Sequence, residues 1–282
     1  MADPVVLPAR GGPSATRLSP PVARRRRLTA GGLRPVLLRS LGIGVLLVAW
    51  QIYGSTVNPL LFATPVRVAQ AFVHLVADGE LGSAALVSAQ PFLAGLVLAV
   101  VVGIVVGTLL ARFRVLQETT MLLVTGLYSI PAVALVPLLI LWFGLGVTSK
   151  TAVVFLLAVF PVLFSTFDGI RSVSATHADA ARAYGASEWQ TVGTVTIPAA
   201  LPFIMSGFRQ STGRALIGLI VGELFTGISG LGGMIVSYTN TLQMANVLAV
   251  VALLGVVGMF LMGSGTWLER KVAPWKETER AM

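Results

Sequence analysis

Between two long apolar stretches lies a short, mostly polar one whose residue types and spacing suit one kind of chemistry. It runs Ala178-Asp179-Ala180-Ala181-Arg182-Ala183-Tyr184-Gly185 and continues to Val195-Thr196-Ile197-Pro198. Ala180, Ala181 and Ala183 give a helix a thin surface that another protein's cleft can close around, while Asp179 and Arg182 supply charge at its rim. That is docking chemistry, not catalytic chemistry. The segment predicts two small helices on the inner face of a membrane. Thr176 is placed to cap the first by accepting a first-turn N–H, with Asp179 three residues later near the positive helix end. Gly185 is its stop. Ser187, followed three residues on by Gln190, forms a capping box that starts the second helix, which runs toward Pro198.

The elements that position this segment must be membrane spans. Of 282 residues, 55% are hydrophobic and 11% charged, and the mean hydropathy is +0.86, more apolar surface than a soluble core of this length hides. The net charge of +9 would suggest nucleic acid in a soluble chain. Here the positive residues concentrate in segments expected to face the cytoplasm, where they act as a topology signal. With no cysteine, disulfides, thiolate metal sites and cysteine nucleophiles are excluded. His74 and His177 fall on opposite sides of the membrane and assemble no ligand cluster.

Residues 1–35 carry Arg10, Arg17, Arg24 to Arg27 and Arg34 among Pro and Gly, without apolar periodicity, and read as a disordered basic cytoplasmic tail. The first span, about 36–55, is expected to be retained, since no small-residue cleavage site follows it. An outer loop with a short helix, Val66 to Val76, precedes the second span, 84–111, whose Gly95, Gly103 and Gly107 predict close helix packing. The third span, 119–143, is interrupted by Pro131 and Pro137, each of which removes a backbone donor. The fourth, 151–167, returns to the cytoplasm, and the coupling loop occupies 172–198. The fifth, 199–225, holds the charges expected deepest in the membrane. Arg214 lies roughly 21 Å along a helix begun at Ala200, past the midpoint of a core about 30 Å thick. Such a charge faces a cavity or a partner. Glu223, nine residues on, is too far along the helix to pair with it; Arg209 is expected near the inner end, fixing the coupling loop. The glycine-rich stretch 227–241 reads as an outer turn. It lacks the Gly-Lys-Ser/Thr ending of a phosphate loop. The sixth span, 243–267, delivers a cytoplasmic tail, 271–282.

Of the 20 Lys and Arg residues, Arg67 and Lys150 fall in outer segments and Arg214 within a span, which leaves 17 on the inner side. Six spans with both ends in the cytoplasm satisfy the positive-inside rule.

Asp179-Ala180-Ala181, Gly185, Val195 and Ile197-Pro198 stand at the unbroken spacing of the loop that begins Glu-Ala-Ala in permease subunits of bacterial ABC importers, which this segment resembles. Asp stands for Glu, Val for Ile and Ile for Leu. The stretch Ile130 to Leu138 with Leu141-Trp142-Phe143-Gly144-Leu145-Gly146, and Gly230-Leu231-Gly232, resemble the nitrate, sulfonate and taurine branch. The resemblance covers about residues 37–270. It implies an all-α integral membrane protein of six transmembrane helices, type I ABC importer permease-like, with cytoplasmic coupling helices and a permease domain over 36–270 in the bacterial plasma membrane. It implies a second permease subunit forming a homodimer, two cytosolic ATPase subunits that bind ATP and Mg, and an extracytoplasmic solute-binding protein; the chain itself would be no enzyme and hold no cofactor. The docking residues become Asp179, Ala180, Ala181, Arg182, Ala183, Tyr184 and Gly185. Candidate pathway residues are Tyr128, Pro131, Arg214 and Glu223, for a small, anionic solute such as a sulfonate, nitrate or carboxylate. A competing reading is an ion-gradient-driven secondary transporter, for which Glu223 would be the coupling carboxylate.

Overall fold

The computed structural model describes residues 33–173, 180–227 and 229–272. Residues 1–32 of the basic tail, Thr176, His177, Asp179 and residues 273–282 of the C-terminal tail lie outside the described residues, while 33–35, expected in the disordered tail, are already helical. Of the described residues, those up to Leu46, the first half of helix α1 (Leu33–Thr56), belong to one unit. Leu37, Leu38, Leu41 and Ile43 on it are exposed.

The second unit, from Leu47, is built of helices, with no strand among the described residues. Trp50, in the second half of α1, donates its indole N–H to the Ala63 carbonyl at 3.1 Å. Thr64 then caps α2 (Pro65–Ala77) by accepting the Arg67 N–H, and Pro65 sits in the first turn, where its missing donor costs nothing. The long helices α3 (Glu80–Arg112) and α6 (Val147–Ser172) lie together, and α8 (Ile197–Thr226) packs against the other side of α6. Helix α9 (Gly230–Asn240) and helix α10 (Met244–Val272) complete the described residues.

Glycine sets how closely these helices approach. A Cβ on Gly95 would lie 2.6 Å from Val154 Cβ, one on Gly103 2.8 Å from Val162 Cβ, and one on Gly107 2.7 Å from the Leu163 carbonyl. Across the second interface, a Cβ on Gly207 would meet Ser165 Cβ at 2.6 Å and one on Gly169 would meet Phe203 Cβ at 2.6 Å. Backbone therefore rests on side chain with nothing between. Val153, Val154, Ala158, Val162 and Ala215 are completely buried along this seam.

Three segments differ from the sequence expectation. The span expected at 119–143 is a bent pair, α4 (Arg114–Ser129) and, after a 3₁₀ turn (Ala132–Leu135), α5 (Val136–Phe143), with 86° between the two arms. Ile130 is extended, as a residue before proline must be, and Pro131 offers no N–H to continue α4. Among the described residues five helices are long and apolar enough to cross a membrane, and the bent pair makes six if it crosses as one. The expected outer turn at 227–241 contains the eleven-residue helix α9. The second coupling helix, α7 (Glu188–Thr191), does not stop before Pro198. It passes through a π-helical turn, Val192–Thr196, directly into α8. A proline ring crowds the carbonyl four residues back, and the widened turn just before Pro198 is where the helix absorbs this.

The glycine seam generates a first prediction. Gly103→Leu should destabilise the detergent-solubilised protein by about 1–3 kcal/mol or more through overpacking. Gly126→Ala, where nothing lies within 4 Å of the added Cβ, should leave the thermal midpoint unchanged or slightly raised.

Candidate coupling segment and membrane cavity

The coupling segment is built from local rules. Residues 180–183 are helical, and Gly185 follows with φ +84°. Its N–H bonds the Arg182 carbonyl at 2.9 Å, and the Ala186 N–H bonds the Ala181 carbonyl at 3.1 Å. This pair of bonds is the Schellman termination, which requires the left-handed conformation that glycine adopts without penalty. Two residues later the capping box is complete: Gln190 Oε1 accepts the Ser187 N–H at 2.8 Å, and Ser187 Oγ accepts the Gln190 N–H at 3.3 Å.

Between these stops and starts the small residues face solvent. Ala180, Arg182, Ala183 and Gly185 are exposed, Ala181 is partly so, and Tyr184 is 94% exposed. Among the described residues nothing lies within 4 Å of a Cβ added at Gly185. Glu188, at the start of α7, forms an ion pair with Arg112, the last residue of α3, and stands 3.9 Å from Arg182. Glu188 is a residue that sequence reasoning missed. Its cue was a carboxylate one residue after a capping serine, where the positive helix end favours it, but its partner lies 76 residues away.

Within the membrane, the bend at Ile130–Pro131 opens a cavity of about 310 Å³. Tyr128, Pro131 and Arg214 all line it, with Leu135, Leu157 and Phe160. Arg214 donates from Nη2 to the Tyr128 hydroxyl at 3.0 Å, and its guanidinium carbon is 5.5 Å from the centre of the same ring. Tyr128 is held in turn by Phe160 and Phe164, at centroid distances of 5.4 and 5.3 Å. These two phenylalanines, one turn apart on α6, also went unnoticed in the sequence, because an i, i+4 aromatic pair in an apolar span reads simply as packing. The arrangement offers a fixed positive charge beside an aromatic and aliphatic wall.

Glu223 stands apart from that cavity. It is fully buried, Oε1 accepting from the Ser88 hydroxyl of α3 at 2.7 Å and Oε2 from the Gly232 N–H at 2.8 Å. Ser88 Oγ also accepts the Leu231 N–H at 2.9 Å. A serine and a carboxylate thus satisfy first-turn donors of α9 that would otherwise be unpaired inside the protein. Lys150, 4% exposed, donates to the carbonyl and hydroxyl of Ser229, the residue preceding the same helix. The run Gly230-Leu231-Gly232 is explained by this approach: a Cβ on Gly230 would lie 2.0 Å from Glu223 Oε1, and one on Gly232 2.5 Å from Glu223 Cβ. On the far side of α9, the Tyr238 hydroxyl donates to Glu80; burial and that carboxylate push the phenol up to about 12. Arg209, expected to brace the coupling segment, instead pairs with Glu269 of α10 at 3.1 Å. Among the described residues no group of three or more His, Asp or Glu could hold a metal ion.

Comparison with known proteins gives a consistent picture. Residues 99–274 match the family model described as binding-protein-dependent transport system inner membrane component. The chain is 35% identical over 239 residues to a Bacillus subtilis (strain 168) protein named as aliphatic sulfonates transport permease SsuC, covering 83% of this chain and 86% of that one. It is 29% identical over 249 residues to the Escherichia coli (strain K12) taurine transport system permease TauC, covering 86% and 90% respectively. A solved chain of the MetNI methionine ABC transporter, in an inward-facing conformation, superposes with a TM-score of 0.57 at 22% identity, over 65% of this chain and 91% of that one.

The polar clamp on α9 gives a second prediction. Ser88→Ala leaves the Leu231 N–H without its acceptor and Glu223 without one donor, so the protein should lose about 1–3 kcal/mol of stability, read as a lower unfolding midpoint in detergent.

Proposed function

The chain belongs to the inner membrane components of binding-protein-dependent transport systems, the permeases of ABC transporters, in the sulfonate and taurine branch, and from that premise we propose that it carries a small organic anion inward, driven by ATP hydrolysed on partner subunits. Two copies form the pathway, two cytosolic ATPases holding ATP and Mg grip residues 179–185 of each, and an extracytoplasmic receptor delivers the solute. Both termini lie in the cytoplasm.

One observation carries this reading. The exposed docking segment leads through Ser187 into α7, and α7 continues without interruption into α8, the helix on which Arg214 lines the cavity. The docking segment and the pathway helix are therefore joined by one run of helical chain, so ATPase movement at the segment is directed at the helix that bears Arg214. Arg214 supplies the attraction for an anion, and a charge at that depth is retained where it faces a cavity. Tyr128 and Phe160 supply an apolar wall for the carbon part of the solute. Two bonded carboxylate oxygens and complete burial suit Glu223 to holding α9 in place.

The test has two arms. A P-loop ATPase should co-purify in mild detergent with the tagged wild type and be lost from a Gly185→Asp variant that still inserts in the membrane. In proteoliposomes with ATPase and receptor, Arg214→Gln should lower ATP-dependent uptake of an aliphatic sulfonate by about tenfold or more, a shift of about 1.4 kcal/mol. Uptake that proceeds on an ion gradient without ATP, and disappears in Glu223→Gln, would replace this reading with that of a secondary transporter.

A further inference from the structure

The docking segment would transmit force poorly on its own. It is short, it leaves α6 at Ser172, and its entry into α8 passes through a π-helical turn. In that turn the Ile197 N–H bonds the Val192 carbonyl five residues back. Hydrogen bonding is least regular there, so a load applied to α7 would bend the helix at Val192–Thr196 before it moved α8.

One side chain stands where a brace is needed. Glu188 opens α7, four residues before the π turn, and reaches out of the loop to Arg112 at the cytoplasmic end of α3. Its second oxygen faces Arg182 in the first short helix. Behind these three charges lies a small cavity of about 110 Å³, lined also by Thr108, Ile170 and Thr196. The Glu188–Arg112 ion pair lies on the wall of this cavity and joins the segment to α3. Glu188 thus touches the first coupling helix, belongs to the second, and is fastened to a helix that packs tightly on α6.

We propose that Glu188 and Arg112 form a strut that stays closed through the transport cycle, so that motion of the docking segment moves α3 and α8 together instead of being absorbed in the π turn. Both are positioning residues, and the proposal rests on the ATP-driven reading above. The pair is partly solvent-exposed, with side-chain accessibilities of 32% and 65%, so it contributes little to folding. Its removal should uncouple the protein without unfolding it. Neither residue is among those expected to meet the ATPase.

The natural absence of cysteine makes the test clean, because an introduced pair supplies the only thiols in this chain. Glu188→Gln and Arg112→Gln should each lower ATP-dependent uptake about five- to tenfold, the size of a typical coupling between sites. ATPase co-purification should stay at the wild-type ratio, and the double variant should be no worse than the poorer single one. The Arg112→Cys/Glu188→Cys double variant should be equally impaired while reduced. A short bifunctional thiol crosslinker should restore its uptake to within about threefold of wild type, since a covalent link replaces the ionic one. Wild-type uptake in Glu188→Gln, or a crosslinked protein that transports no better than the reduced one, would overturn the strut. If the wild type itself brings down no ATPase, the ATP-driven reading fails, and the strut with it; if it does and only the crosslink rescue fails, the strut alone is lost.

Discussion

The near contact of α3, α6 and α8 through glycine is the constraint on which the rest of this structure depends. In a bilayer, apolar side chains gain little by leaving lipid for one another, so helices associate through dispersion between well-fitted surfaces and through shared polar bonds. Gly95, Gly103 and Gly107 on α3, with Gly169 and Gly207 across the other seam, remove the side chains that would hold the helices apart. The dispersion lost by a gap of even half an ångström falls off steeply, so such a seam is either closed or absent. The three helices therefore behave as one slab, and every functional feature is attached to its ends or its margin.

At the outer end the attachment is polar. Ser88, Glu223 and Lys150, from three different helices, converge on the start of α9. Both Glu223 oxygens, the Ser88 hydroxyl and the Lys150 ammonium each meet a partner there, so these polar groups rest inside the protein, and the same bonds hold the start of short helix α9. At the inner end the attachment is ionic and partly exposed, through Glu188 and Arg112. On the margin, where α4 breaks at Pro131, the backbone is freed from helix geometry beside a cavity, which is where a membrane tolerates irregular chain.

Much of this was legible in the sequence. Gly185 as a stop and Ser187 with Gln190 as a start rest on bonds spanning five residues or fewer, and both took the expected form. Gly103 and Gly107 announced a close helix contact because a lipid-exposed surface has no use for a stripe of small residues. The partners of Glu223 and Arg214 were not legible, since Ser88 is 135 residues from the first and Tyr128 is 86 from the second. The glycines at 230 and 232 misled for a related reason. Glycine in a row signals a turn when only the local chain is considered, whereas here it clears room for a carboxylate from another helix, and a helix begins at the same place. Pro198 likewise suggested a boundary, and the π turn let the helix run through it.

The uninterrupted path from Glu188 to Thr226 spans 39 residues, about 58 Å at 1.5 Å each, against an apolar core of about 30 Å. It is a beam longer than the wall it pierces. Much of its length therefore stands outside the apolar core, and the π turn at Val192–Thr196, near one end, falls where water and headgroups can take up backbone groups that an irregular turn bonds poorly.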